Sequence, residues 1–381
     1  MTGRIVLLGV TGYTGGLVLD ALLRRGLEPV LAGRDGAALA AIAERAGGLA
    51  TVVVDVTEAD SVARLVRRGD VLISTVGPFE RFGHGVARAA ADAGAHYIDS
   101  TGEVGFVVDL RRQVHERARE TGALMLPAFG YDYVCGILAG TLAARTAGPE
   151  LRSVDIGYFA TGSLRRGLSH GTRTTLRDGL TLPSARRRAG RLVEERTGSR
   201  VRGFDIGGKR KNATLVSGTE VLFLPTGFPA LDDVTVYNGW FPRLSRPLVV
   251  LSAATAVMIR IPHGRRIVDA LTRPMIGPPG GPDAVERART RTHVVAVASG
   301  APGPLAEVHV EGPSAYSLTG ELMAWAAERL ATTPPRTAGV VGPVEAFGLG
   351  RFVAGCAEIG LRPVSPRRLL HTFAQVWEGG G

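Results

Sequence analysis

Lysine is nearly missing from this 381-residue chain: Lys209 and Lys211 are the only two. The scarcity removes most lysine-base dehydrogenases. It also removes the short-chain dehydrogenase mechanism, which needs a tyrosine with a lysine four residues later to lower the phenol's pKa; neither lysine has one at that offset. Cysteine is as scarce. Cys135 and Cys356 have no ligand or redox spacing, so neither a disulfide framework nor a metal site is expected, and with no histidine close in sequence to activate it Cys135 reads as a packed helix residue. Long apolar runs are few. Leu248 to Ile259 is uncharged but too short for the roughly 20 residues of a membrane span; it reads as a buried or interface helix, with peripheral lipid contact as the alternative. Met1-Thr2-Gly3-Arg4 runs straight into Ile5-Val6-Leu7-Leu8, leaving no room for a signal peptide, and the expectation is a cytoplasmic protein.

What is abundant is arginine. The 45 Lys and Arg against 35 Asp and Glu give a formal charge of +10, densest between Arg173 and Lys211, where Glu194, Glu195 and Asp205 interrupt it. Interrupted basic stretches of this kind read as a solvated face or subunit contact before an anionic substrate or carrier, and least as a nucleic-acid surface. No nucleic-acid partner is expected; a homodimer is.

Length above what one core usually holds predicts two domains. The first third alternates short apolar runs with helix-patterned stretches: strands over 4–8, 29–32, 51–55, 71–75, 95–99 and 123–127, helices over 15–26, 36–47, 58–68, 82–93 and 105–121. That alternation predicts a doubly wound parallel sheet of Rossmann type. A linking helix over 130–144 leads to a second α+β domain with a mixed or antiparallel sheet, its strands at 152–160, 213–224, 233–238, 291–298 and 305–311. Helical apolar spacing over 316–331 predicts a return to the first domain. The expected division is 1–147, 148–313 and 314–381.

Gly9-Val10-Thr11-Gly12-Tyr13-Thr14-Gly15 follows a strand and opens a helix, where backbone N–H groups and the helix dipole stabilise a pyrophosphate. Gly9, Thr11, Gly12, Tyr13, Thr14 and Gly15 are therefore candidate cofactor residues. An NAD enzyme usually ends its second strand with an acid for the ribose 2′-hydroxyl. Here that place is Leu31-Ala32-Gly33-Arg34, and a guanidinium pairs with a 2′-phosphate, so Arg34 points to NADP(H), with Asp35 the competing acid. Asp55 contacts adenine or caps the next helix. Thr75-Val76-Gly77-Pro78 ends the fourth strand where the nicotinamide ribose would pass. Glu103 orients substrate or serves a helix N-terminus. Tyr131, Asp132 and Tyr133 follow the sixth strand, with Tyr133 as proton donor and Asp132 as orienter, against an interdomain hinge as the other reading. In the second domain His170 is a possible proton source and Arg173 a binder of substrate carboxylate or cofactor phosphate. His84 and His96 read as structural.

Together the glycine loop, Ala32-Gly33-Arg34, Thr75-Val76-Gly77-Pro78-Phe79, Gly94-Ala95-His96-Tyr97-Ile98-Asp99-Ser100-Thr101-Gly102-Glu103 and Phe129-Gly130-Tyr131-Asp132-Tyr133 resemble the saccharopine dehydrogenase-like NADP-binding reductases, trans-acting enoyl reductases included, over residues 1–145. The resemblance implies a Rossmann domain, an inserted α/β substrate domain and hydride transfer from NADPH to a C=N or conjugated C=C bond of a small-molecule or carrier-bound substrate. The enoyl reductase branch tends to carry Gly-Phe-Asp-Ser-Ile-Pro-Ser-Asp where this chain has Gly130-Tyr131-Asp132-Tyr133-Val134-Cys135-Gly136. Two alternatives remain open: an imine-forming amino-acid dehydrogenase, and a cofactor-binding partner protein with little redox activity.

Overall fold

The computed structural model describes residues 3–161, 168–178, 181–273, 280–301 and 303–364. The chain divides into two compact units, Met1–Val134 with Ala315–Ile359, and Cys135–Ser314 with Gly360–Gly381. The break falls inside the linking helix rather than after residue 147. Residues 365–381 of the expected C-terminal return lie outside the described residues.

The first unit runs β1 (Ile5–Leu8), α1 (Tyr13–Arg24), β2 (Val30–Gly33), α2 (Gly36–Arg45), β3 (Thr51–Val53), α3 (Ala59–Ala63), β4 (Val71–Ser74), α4 (Phe79–Ala93), β5 (His96–Asp99), α5 (Val104–Thr121), β6 (Leu124–Leu126) and the start of α6 (Tyr131–Ala147). The second unit contains β7 (Ser153–Thr161), α7 (His170–Asp178), β8 (Pro183–Arg188), β9 (Arg191–Arg196), β10 (Val201–Ile206), β11 (Lys209–Val216), α8 (Glu220–Gly227), β12 (Asp233–Asn238), α9 (Ser245–Met258), α10 (Gly264–Thr272), α11 (Ala284–Arg289), β13 (Arg291–Gly300) and β14 (Gly303–Gly312). The chain then returns to the first unit with α12 (Ala315–Thr332), β15 (Gly339–Val340), α13 (Pro343–Phe347) and α14 (Leu349–Glu358), and ends its described part with β16 (Arg362–Val364).

Among the described residues the first sheet is seven-stranded, in the order β15-β6-β5-β4-β1-β2-β3, and every pairing is parallel. Strands β1, β4 and β5 are buried along their whole length, as inner strands of a parallel sheet are. The seventh strand, β15, is too short to read from periodicity. Helix α12 returns as expected and lies on α1, where Gly320 permits contact: a Cβ there would stand 2.8 Å from the Leu17 carbonyl oxygen. Arg24 and Arg25 of α1 pair with Glu321 and Glu328 of α12. The order of strands reverses between β1 and β4, the point at which doubly wound sheets open a ligand crevice.

The second unit is a mixed sheet, β10-β11-β12-β7-β13-β14-β16, with β8 paired to β12 and β9; β12 runs parallel to β7 and the other pairings are antiparallel. Phe159, Phe204 and Tyr237 pack edge to face in its core. The strand expected over 213–224 is cut short. Residues from Glu220 form α8 instead, because Glu220 turns its carboxylate inward to the Tyr158 hydroxyl (2.6 Å), and Val221-Leu222-Phe223-Leu224 suits either period. Strands β8 to β10 went unread, their arginine-rich faces hiding the alternation. Three arginines of this region pair with acids: Arg186 and Arg200 hold Glu195 at 3.0 and 2.6 Å, and Arg202 pairs with Asp155.

Candidate functional site

The reversal point places the turn after β1 beside the turn after β4. Gly9 has φ +91°, and a Cβ on it would lie 2.7 Å from Thr75 Oγ1. The Thr75 hydroxyl lies 3.1 Å from both the Leu8 and Gly9 carbonyl oxygens, so it seals the two turns together. Gly15 is as constrained, since a Cβ there would stand 2.2 Å from the Gly9 oxygen. Glycine is thus required at both positions by close approach. Helix α1 starts at Tyr13 behind Gly12, with no side-chain cap and no acid in its first turn. A helix start with no side-chain cap turns its first N–H groups and the positive end of its dipole toward an anion, and a glycine-lined approach leaves room for a pyrophosphate. Tyr13 stacks edge-on against Tyr316 of α12, 5.4 Å between centroids.

Arg34 leaves β2 into solvent. The neighbouring acids have other work. Asp35 caps α2, accepting from the Ala38 N–H at 3.0 Å. Asp55 accepts from the Thr57 N–H (2.9 Å) and hydroxyl (2.7 Å); these bonds, with the Arg34 charge, hold its carboxyl below the usual carboxylate range. Asp55 lies in the turn before α3, whose N-cap is Glu58, so it does not cap that helix. Arg34 is left as the group able to meet a 2′-phosphate. Val76, Gly77 and Pro78 follow Thr75, with the Gly77-Pro78 bond cis.

The corner formed by β5, β6 and the start of α6 corrects several expectations. Glu103 caps a helix from across the sheet edge: its two carboxylate oxygens accept from the Phe79 N–H (3.0 Å) and the Glu80 N–H (2.8 Å) at the start of α4. Each oxygen thus accepts one backbone N–H bond, which is a helix N-terminal role, served at α4. Tyr131 is buried, its N–H bonded to Thr319 Oγ1 at 3.0 Å, so it does not line an open crevice. Tyr133 is buried too and donates its hydroxyl proton to the Gly102 carbonyl at 2.6 Å, which commits the proton that a donor would release. Its φ of +91° is one a side-chain-bearing residue adopts only where surroundings enforce it. Asp132, just before it, is the exposed member of the three. Desolvation raises its carboxyl to about 6.

Asp99 was overlooked within its motif. It is fully buried, and its Oδ1 accepts from the Thr101 N–H (2.9 Å) and the Ala128 N–H (2.8 Å). It thereby ties the exit of β5 to the exit of β6, while burial pushes its carboxyl up to about 6. His96 and His84 are structural: His96 Nδ1 accepts from the Leu124 N–H at 3.1 Å, and His84 packs on Phe106. His170 and Arg173 lie in the second unit, His170 at the exposed start of α7 and Arg173 half-buried in its first turn. The same unit holds a pair that sequence missed: the Tyr158 hydroxyl donates to Glu220 and accepts from the Gly136 N–H at 2.9 Å. Glycine is needed at 136, since a Cβ would stand 2.0 Å from Glu220 Oε1. Cys135 is buried as expected.

Residues 5–126 match the family model of the saccharopine dehydrogenase NADP binding domain. The first domain is an NADP-binding domain of this type. Among curated proteins, the chain is 35% identical over 137 residues to a trans-acting enoyl reductase of Mycobacterium ulcerans, covering 34% of this chain and 33% of that protein. It is 32% identical over 145 residues to a probable mitochondrial saccharopine dehydrogenase-like oxidoreductase of Arabidopsis thaliana, covering 34% and 32%. Each match thus spans about a third of the relative. The fold extends further: apo saccharopine dehydrogenase (L-Glu forming) of Saccharomyces cerevisiae superposes with a TM-score of 0.57 over 95% of this chain and all 100% of its own, at 14% identity, a likeness of fold. The saccharopine dehydrogenase-type domain explains why the legible motifs stop near β6. Among the described residues, no helix is long and apolar enough to cross a membrane.

Proposed function

We propose that this chain is an NADPH-dependent reductase delivering hydride to a C=C or C=N bond of a specialised or lipid-like metabolite, free or carried on another molecule. The uncapped, glycine-lined start of α1, with Arg34 at the end of β2, carries the reading. When bound, NADPH supplies the hydride. The Gly12 to Gly15 backbone holds the pyrophosphate, Arg34 the 2′-phosphate, and Thr75 to Pro78 borders the nicotinamide ribose. Proton delivery falls to Asp132 rather than Tyr133. An exposed carboxyl near 6 carries a proton for part of the time at neutrality and regains it from water, whereas the Tyr133 hydroxyl is held by Gly102 and fixes the bend that sets Asp132. His170 and Arg173 are the second unit's candidates for substrate contact.

Titration of the protein with NADPH and NADH is the first test: NADPH should bind more tightly, and equal affinities would remove the NADP assignment. Incubation with NADPH and either an α,β-unsaturated thioester or a cyclic imine then distinguishes the two acceptors by cofactor consumption. Asp132→Asn should lower kcat about 100-fold with NADPH affinity unchanged. Full turnover in that variant would return the proton to another group.

A further inference from the structure

Helix α9 is folded inside out. Its buried residues are Ser245, Ser252 and Thr255, and two of them are tied down: the Ser245 hydroxyl donates to the Asn212 carbonyl at 3.1 Å, and Ser252 accepts from Arg196, whose guanidinium also reaches the Val249 carbonyl at 3.1 Å. These bonds fix the rotation of the helix and turn its aliphatic stripe outward. Val250 is 70% and Val257 64% exposed, with Ala254 between them and Ile261 beyond the helix end also exposed, the i, i+4, i+7, i+11 spacing of one helical face. On α10, Ile267 and Leu271 continue the exposed apolar surface one turn apart, Leu271 at 74%. Of the expectation of a buried or interface helix for this run, the outward apolar face removes the buried half.

The charge along this stretch is predominantly positive. Arg243, Arg246, Arg260, Arg265, Arg266 and Arg273 are all exposed, and the one acid between residues 242 and 273 is Asp269. Where β11 meets the start of α9, an open pocket of about 780 Å³ is lined by Lys209, Lys211, Arg243, Arg246, Trp240 and Phe241, among others. Exposed aliphatic side chains and exposed arginines on one stretch, beside a cationic pocket edged with aromatic rings, match the two demands of an anionic lipid surface: apolar insertion at the acyl boundary and charge attraction at the headgroups. A second copy of this chain fits poorly, because a two-fold contact would set the same basic stretch against itself.

We propose that α9, α10 and the adjoining basic pocket form a docking surface for an anionic phospholipid membrane, the pocket receiving a headgroup phosphate. The proposal stands apart from hydride transfer and is read without measuring activity. Co-sedimentation of the full chain with phosphatidylcholine vesicles, with and without phosphatidylglycerol, should show binding to the anionic vesicles alone, weakening as salt rises. The double variant Val250→Asp/Val257→Asp should lose it, and Arg265→Ala/Arg266→Ala should weaken it about 30-fold; circular dichroism confirms that each variant is folded. Binding to neither vesicle overturns the proposal. So does anionic binding that survives the aspartates, which would make charge alone sufficient. Self-association in lipid-free solution, abolished by the same aspartates, also overturns it in favour of a contact between copies.

Discussion

Helices α1 and α9, of 12 and 14 residues, are both largely apolar, yet they present opposite faces to solvent. Helix α1 buries Val18, Leu19, Ala21 and Leu22 beneath α12 and keeps its N-terminus uncapped, whereas α9 buries hydroxyls and exposes valine and leucine. In the first unit the exposed feature is backbone: N–H groups framed by glycines. In the second it is side chain: an aliphatic stripe on an arginine-rich stretch. The contrast teaches that apolar content says which helices can pack, while fixed polar bonds decide which face does. The proposed anion site and the aliphatic stripe stand on different units.

The contrast can be broken most forcefully at the phosphate loop. Gly15→Ala drives a Cβ into the Gly9 carbonyl oxygen, 2.2 Å away, and NADPH affinity measured by fluorescence titration should fall about 100-fold; retained affinity would dissociate the loop from the cofactor. Arg34→Ala comes next, costing about 2 kcal/mol of NADPH binding, the worth of charge-assisted hydrogen bonds, while leaving NADH affinity unchanged.

Buried titratable groups sharpen the picture of the first unit. Asp99 is raised to about 6, so its contribution to stability is full below the unfolded carboxyl value and lost as pH rises through about 6. His96 is lowered by burial, so its contribution is present above the unfolded histidine value and lost as pH falls below it. The two partly cancel on mild acidification. Asp99→Asn keeps the acceptor for Thr101 and Ala128 and removes the ionised form; it should gain about 1–2 kcal/mol at pH 7. Thermal melts of this variant should decline more steeply than the native protein between about pH 7 and 5, and an unchanged slope would refute the assignment. Glu103→Gln should cost about 1 kcal/mol in thermal stability through the weakened α4 cap, with kcat unaltered; a fall in kcat at unchanged stability would restore its substrate role. The smallest effect belongs to α9, where Val257→Asp should alter stability by less than about 0.5 kcal/mol.

Local pattern made much of the first unit legible. Strand β1, the glycine loop and α1 follow one another within one βαβ unit, and Gly9, Gly15 and Arg34 are legible from their positions in it, although the space that demands glycine at 9 is set by the distant Thr75. The corner was misread where partners are distant. The place of Tyr133 after β6 is local and suggests a proton donor; its bond to Gly102, 31 residues back, is not local. Glu103 serves a helix 24 and 23 residues upstream.

The sequence by itself determined the doubly wound sheet, the phosphate loop, the arginine at the end of β2 and the return of α12, because periodicity and glycine spacing act between near neighbours. Only the tertiary structure decided which hydroxyls and carboxylates are spent on holding the fold and which remain free for chemistry. It joined Tyr158 to Glu220 across 62 residues and turned α9 outward through Asn212 and Arg196. Such bonds depend on where strands bring distant segments together, and no local pattern records that.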